Sequence, residues 1–246
     1  MLDILIQNAE IVDGTNATRY KGDVAITGDH IAHVGELPGA EARTVLDATD
    51  RVLVPGFIDI HSHADLSLLV EPAAESLVRQ GITTVVTGQC GLSPAPLTRE
   101  YREDTLQTLG MLLPPEVAMP WEEMLSFGSF LDYLARNEMA VNVVPLVGEG
   151  MIRAAVMGYR SDPPSQDEMA QMQGLVHEAM DVGAFGISTG LIYPPGSFTD
   201  IEELVGVVRP AGERGGLYFS HLRSEAETLC EAVREAIEIG RRTGAA

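Results

Sequence analysis

Residues 55–63 read PGFIDIHSH, and this stretch decides the fold. It continues an apolar segment that begins at Val52 and ends in His-x-His. In an extended strand, residues two apart point to the same face, so His61 and His63 can reach one point. Paired imidazoles at a strand end suit a divalent metal, although two histidines hydrogen-bonded to loops are the alternative. The stretch therefore predicts a buried strand that delivers two metal ligands.

Beyond this strand, apolar segments alternate with helical patterns. Such alternation is typical of βα units around a parallel sheet. About five units can be counted, whereas a closed (β/α)8 barrel needs eight. The sequence thus predicts an α/β fold with about five of the eight units of a TIM-like barrel. The predicted strands cover residues 52–60, 82–87, 141–147, 184–188 and 217–220, and the predicted helices cover residues 72–80, 121–136, 166–181, 200–212 and 224–243, with an irregular stretch at 88–120.

The first fifty residues have a different pattern. Short strand-like segments are separated by Gly14, Gly22, Gly28-Asp29 and Pro38-Gly39, which predicts a small all-β module. We therefore predict two domains: part of a small β-sandwich at residues 1–52, and an incomplete hydrolase barrel at residues 53–246.

Composition excludes several classes of function. The 246 residues include 36 Asp and Glu against 16 Lys and Arg, a formal net charge of −20. This excess argues against binding nucleic acid or an anionic membrane surface, because little positive charge is available for phosphates. No signal peptide or apolar run long enough to cross a membrane is evident. Two cysteines cannot form a disulfide framework, which favours a reducing, cytoplasmic location.

Two more metal-ligating side chains follow predicted strands. Cys90 lies in VTGQCGLSPAPL at residues 86–97, and His221 lies in LYFSHLRSE at residues 217–225. Because parallel strands end at one edge of a sheet, both residues are expected near His61 and His63. A thiolate beside a divalent metal is a strong ligand, although a small cysteine in a turn and a structural histidine are the alternatives.

Together these segments resemble the amidohydrolase superfamily, and in particular its D-aminoacylase (N-acyl-D-amino-acid deacylase) branch. A β module leading into PGFIDIHSH is typical of the superfamily. The segment around Cys90 is similar to the branch's G-N-C-G-[IL]-S-x-A-P-L pattern, with Gln89 in place of the usual asparagine. The resemblance implies that His61, His63, Cys90 and His221 bind one or two zinc ions. It suggests that the two histidines of the first strand form one subsite and that the other two ligands form a second.

A further segment, GAFGISTGLIYPPG at residues 183–196, also matches this branch. Ile192 and Tyr193 are candidates for lining a substrate pocket, with ordinary loop packing as the alternative. Arg223 could pair with a substrate carboxylate, with a helix-cap or inter-loop ion pair involving Glu225 as the alternative. Glu149 stands where the branch usually has histidine, which puts substrate specificity in doubt.

Lysine usage separates this branch from others. Lys21 is the only lysine and lies in the β module. Hydantoinases and related enzymes bridge two metals with a carboxylated lysine on the fourth barrel strand, which here is residues 184–188 and has none. The sequence therefore favours a site with a cysteine ligand.

The resemblance implies hydrolysis of an N-acyl-D-amino acid, a small-molecule amide, through zinc-activated water. It also places the general-base aspartate beyond Ala246, so no catalytic base is expected within this chain. The chain is thus interpreted as a truncated form that needs its C-terminal half or a complementing chain. Two alternatives stay open: an amidohydrolase for another amide or cyclic amide, and a non-catalytic, metal-binding half-barrel that needs a partner.

Overall fold

The structure is a computed structural model that describes residues 1–113 and 117–246. Its internal contacts divide the chain into two compact units, Met1–Phe57 and Ile58–Ala246. The domain boundary predicted after residue 52 stays a prediction. No helix within the described residues is both long enough and apolar enough to cross a membrane.

The first unit is a five-stranded sheet in the order β3-β2-β1-β4, with β5 also paired to β1. Strands β2 and β3 run antiparallel to their neighbours, whereas β4 and β5 pair with β1 in parallel. A second sandwich layer is not among the described residues, so the β-sandwich stays a prediction. The strands are β1 (Leu2–Ile11), β2 (Tyr20–Thr27), β3 (His30–Gly35), β4 (Ala42–Asp47) and β5 (Val52–Leu53).

Strand β1 is a single strand whose sequence predicts two. Residues 3–7 and 9–13 have separate strand-like patterns, but the structure joins them through Asn8, whose φ is +63°. The pairing with β2 shifts between Ile6 and Ala9, which is the signature of a bulge. One irregular residue thus resets the alternation of inward and outward side chains.

The second unit carries a curled parallel sheet in the order β10-β9-β8-β7-β6. The register is parallel from β7 to β10, so the carboxyl ends of these strands share one edge. This half-barrel arrangement agrees with the predicted α/β class. The strands are β6 (Phe57–Asp59), β7 (Ile82–Thr87), β8 (Asn142–Gly148), β9 (Gly186–Gly190) and β10 (Leu217–His221).

Helices connect successive strands of this sheet. Capping boxes at Ser126 and Ser165 begin α4 and α6, and the side chain of Asp200 caps α7. Their buried apolar faces form the main core against β8 and β9. The helices are α1 (Ser67–Val70), α2 (Glu75–Val78), α3 (Arg102–Gly110), α4 (Phe127–Arg136), α5 (Glu149–Met157), α6 (Gln166–Val182), α7 (Ile201–Gly212) and α8 (Leu229–Thr243), with 3-10 turns at Trp121–Glu123 and Gly196–Phe198.

Two elements near the start of the second unit differ from prediction. The buried strand predicted over residues 52–60 is broken into β5 and β6, and Phe57 and Ile58 of β6 are exposed. The helix predicted over residues 72–80 is limited to α2, and α1 was not predicted.

Later helices differ as well. Helix α5 was not predicted, because nearly all its residues are buried and no polar face marks its period. Helix α3 lies in the stretch 88–120, which was expected to be irregular because it contains several prolines. Two prolines of that stretch, at positions 114 and 115, lie outside the described residues. Helices α4 and α8 begin later than predicted, at Phe127 and Leu229.

Candidate metal centre

The His-x-His pair lies directly after β6. His61 and His63 are both exposed, and their ring centroids are 5.5 Å apart. The Asp59 carboxylate accepts a hydrogen bond from the His61 backbone N–H at 3.2 Å. Just beyond, the Ser62 N–H donates to the Val86 carbonyl at the end of β7. The backbone bonds hold the histidine segment against the next strand, while both imidazoles stay open to solvent.

Cys90 follows β7 in a tight turn and is only 6% exposed. Its φ is +58°, and Gly88 and Gly91 on either side of it also have positive φ values. An L residue rarely adopts this left-handed conformation, so the surrounding structure has to impose it. The turn aims the thiol at the histidine pair.

The three side chains form one cluster. The ligand atoms of His61, His63 and Cys90 all lie within 4.8 Å of one another. His61 Nε2 is 3.2 Å from Cys90 Sγ. The sequence placed Cys90 near the histidine pair and grouped it with His221 as a second subsite. The structure brings its thiol beside His61 and His63, and the division into subsites stays a prediction.

His221 ends β10 and faces the same region. Its Nε2 is buried without a hydrogen-bond partner among the described residues, although Glu225 Oε1 lies 3.3 Å away. Its ring stacks edge-on against Tyr193 at 5.5 Å between centroids. A buried ring nitrogen without a partner is the kind of group that a metal ion satisfies. His221 is nevertheless outside the compact three-residue cluster.

Electrostatics at the site disfavour charge in the absence of metal. Burial lowers the pKa of His63, and the neighbouring His61 and His221 lower it further. Burial raises the pKa of the Cys90 thiol, with a further increase from Asp65. Neutral imidazole is the form that binds a metal, and a dication reverses the effect on the thiol by favouring thiolate. The donor set of imidazole nitrogen and thiolate sulfur fits zinc.

The predicted substrate residues have mixed surroundings. Ile192 is 43% exposed, as a pocket residue would be. The Tyr193 hydroxyl instead donates to the Cys90 carbonyl at 2.6 Å. The Arg223 guanidinium pairs with Glu235 at 2.9 Å and donates to two backbone carbonyls. The sequence named Glu225 as the alternative ion-pair partner of Arg223, but the structure pairs Arg223 with Glu235 and places Glu225 near His221. A role of Arg223 in binding substrate stays a prediction.

Two buried carboxylates near the site were not singled out as site residues. Asp65 accepts a hydrogen bond from the Gly88 N–H, while its second oxygen has no partner among the described residues. Glu149 begins α5, is fully buried, and neither of its oxygens has such a partner. Burial raises the pKa of Glu149 to about 8. The sequence showed that Glu149 follows the end of a predicted strand, but it did not show that this carboxylate is buried.

Comparison with known proteins matches this geometry to a family. The family model described as "Amidohydrolase family" matches residues 44–193. The chain belongs to the amidohydrolase family. An N-acyl-D-aspartate deacylase of Alcaligenes xylosoxydans xylosoxydans is 42% identical over 240 residues, which are 97% of this chain and 47% of that protein.

Solved structures give the same picture. N-acyl-D-glutamate deacylase from Bordetella bronchiseptica, complexed with zinc and a phosphonate inhibitor, superposes with a TM-score of 0.91 at 38% identity. A D-aminoacylase structure described for its binuclear metal centre superposes with a TM-score of 0.90 at 36% identity. Each match covers all of this chain and 50% of the other. The chain thus spans about half the length of the relatives it matches, and the resemblance inferred from the sequence motifs is confirmed.

Proposed function

We propose that the protein is a zinc-dependent amidohydrolase that converts N-acyl-D-amino acids to a carboxylate and a free D-amino acid. The observation that carries this proposal is the cluster of His61, His63 and Cys90, with ligand atoms within 4.8 Å, at the edge of the sheet where His221 also ends a strand. The relatives' names, which include deacylases of N-acyl-D-aspartate and N-acyl-D-glutamate, supply the substrate class.

The residues of this chain would hold the metal and set its charge. His61, His63 and His221 supply neutral nitrogen donors, and Cys90 supplies a thiolate that offsets part of the dication's charge. Bound zinc would supply Lewis-acid chemistry, polarising the amide carbonyl and making water more acidic. The exposed side chain of Ile192 is proposed to contact an apolar part of the substrate.

The general base is proposed to come from outside these 246 residues. The support is the coverage of about half of each relative, together with apolar surface at the edge strand of the sheet: Ile58 in β6 and Ile60 just after it are 62% and 63% exposed. A further segment that completes a (β/α)8 barrel would cover this surface and bring the aspartate to the metal edge. The same segment would complete the N-terminal sheet as a small β-sandwich. We place the protein in the cytoplasm, since both cysteines are free.

The experiment is a hydrolysis assay on the intact protein with matched substrates. N-acetyl-D-aspartate, N-acetyl-D-glutamate and N-acetyl-D-leucine are compared with their L enantiomers and with a hydantoin. Release of a D-amino acid that stops on chelation and returns with zinc is expected. Hydrolysis of the hydantoin alone would replace this proposal with a cyclic-amide hydrolase. Zinc binding without any hydrolysis would favour the non-catalytic half-barrel.

A further inference from the structure

The turn that carries Cys90 is held in a conformation that its own residues do not favour. Gly88, Cys90 and Gly91 have φ values of +74°, +58° and +71°. Glycine adopts such values at little cost, but cysteine does not. The direction of the thiol therefore depends on contacts from outside the turn.

Ser188, on β9, makes the contact that closes the turn. Its hydroxyl donates to the Gly88 carbonyl and accepts from the Gly91 N–H at 2.9 Å. One side-chain oxygen thereby satisfies both ends of the segment 88–91. Ser188 is fully buried, so no water can substitute for it.

Two other elements hold the middle of the turn. The Tyr193 hydroxyl donates to the carbonyl of Cys90 itself at 2.6 Å. From the opposite side, the Gln89 side-chain amide donates to the Ile60 carbonyl, next to His61, at 2.9 Å. The Cys90 turn is thus bonded both to β9 with its following loop and to the histidine segment.

The neighbouring strands pack closely against the backbone of the turn. A Cβ on Gly190 would lie 2.2 Å from the Cys90 carbonyl oxygen, and one on Gly148 would lie 2.4 Å from the Gly91 carbonyl oxygen. Both distances are far below van der Waals contact. The neighbouring strands therefore approach the turn as closely as bare backbone allows.

We propose that Ser188 is a positioning residue that fixes the Cys90 thiol toward the histidine pair, with the Tyr193 hydroxyl in a secondary positioning role. Without the Ser188 hydroxyl, the Gly88 carbonyl and Gly91 N–H would be buried and unpaired, and the left-handed turn would relax. The role in metal binding rests on the proposed function, whereas the control of the thiol's position does not.

The test compares Ser188→Ala with a matched buried serine in the intact protein. Ser93 is 1% exposed, and its hydroxyl also bridges a donor and an acceptor, the Gly148 N–H and the Ala95 carbonyl. It makes no hydrogen bond to residues 88–91. Ser93→Ala therefore reproduces the loss of a buried, doubly bonded hydroxyl without opening the Cys90 turn.

Two readouts separate positioning from stability. The first is the thiolate-to-cobalt charge-transfer absorption on titration of the metal-free protein with Co²⁺. The second is the rate at which iodoacetamide alkylates Cys90 in metal-free protein, measured by peptide mass with exposed Cys230 as the internal reference. Ser188→Ala is expected to weaken cobalt binding about 10–100-fold, as loss of a residue that orients a ligand does, and to speed alkylation of Cys90 several-fold. Ser93→Ala should change neither quantity beyond its effect on thermal stability.

Each outcome decides the matter. The proposal is overturned if Ser188→Ala keeps the wild-type cobalt absorption and the wild-type alkylation rate of Cys90. It is also overturned if Ser188→Ala and Ser93→Ala change both quantities equally. If Ser188→Ala does not fold, Tyr193→Phe takes its place and should shift both readouts in the same direction by less; wild-type values in that variant would also overturn it. If even the wild type gives no thiolate absorption, the proposed function fails, and the alkylation rates alone decide whether Ser188 positions the thiol.

Discussion

Two of the strand ends that deliver candidate ligands, those of β6 and β7, are built in opposite ways. After β6, His61 and His63 are exposed, and the apolar side chains of Ile58 and Ile60 beside them face solvent. After β7, Cys90 is 6% exposed in a turn bonded from both sides. The closed end is ordered by residues of this chain alone. The open end supplies donors that are exposed to solvent.

Removal of the thiol at the closed end should have the largest effect. Cys90→Ala deletes the sulfur donor from the cluster. Since loss of residues behind a ligand already costs about 10–100-fold in metal affinity, loss of this ligand should cost at least about 100-fold. Zinc content and competition with a chelator measure the effect.

Cys230→Ala is the matched control for that variant, because Cys230 is exposed on α8 and is not part of the ligand cluster. It should retain wild-type zinc content. Equal zinc in both variants would remove Cys90 from the site and leave the three histidines as the candidate ligands.

The contrast between the two ends also explains what sequence could predict. His-x-His at the end of an apolar strand gives a geometric rule, because side chains two apart share a face. The parallel sheet and the position of Cys90 after a strand follow from the alternation of strands and helices and from the motif. The parallel sheet and the position of Cys90 agree with the structure. The strand that carries the histidines does not, because β6 ends at Asp59, before His61, and its side chains Phe57 and Ile58 are exposed rather than buried.

The contacts that hold the closed end were not predictable. Ser188 lies 100 residues from Gly88, and nothing in its local sequence indicates which backbone atoms it bonds. The Tyr193 hydroxyl was assigned to a pocket, because an aromatic residue in a loop has the same pattern whether it faces substrate or backbone. Helix α5 was missed because burial on all sides removes the amphipathic period. In each case tertiary packing, rather than local pattern, determines the role.

Close packing behind the sheet edge also buries Glu149, and this should give a pH dependence. Glu149 faces Arg153 on its own helix, Glu203 on α7, and Arg223 and Tyr218 from the β10 side. Burial and the nearby charge of Glu203 raise the pKa of Glu149 from 4.5 to about 8, although Arg153 and Arg223 act to lower it. The folded state thus binds the proton more tightly than the unfolded state, so stability is highest below pH 4.5 on this account and falls as pH rises to about 8.

Glu149→Gln should remove the loss of folding stability that wild type shows as pH rises. Near pH 5 the variant and wild type should be similarly stable, because a protonated carboxyl and an amide are both neutral. At pH 8.5 the variant should be more stable, by on the order of 2–4 kcal/mol. Urea unfolding of metal-free protein at both pH values measures this, and exposed Glu178→Gln serves as control. A difference between variant and wild type that does not change with pH would show that Glu149 is already charged at neutral pH.

The smallest effect on stability is expected at the open end. His61 is exposed, and its one side-chain contact of note is the 3.2 Å approach to Cys90, so His61→Ala should change the unfolding free energy of metal-free protein by less than about 1 kcal/mol. With zinc at about 100 times the wild-type dissociation constant, the wild type should gain about 2.7 kcal/mol from binding. His61→Ala should lose most of that gain. Urea unfolding with and without zinc therefore separates the two contributions. If instead the metal-free variant is destabilised as strongly as Ser188→Ala, then the histidine segment is part of the same rigid unit as the Cys90 turn, and the distinction between an open and a closed end fails.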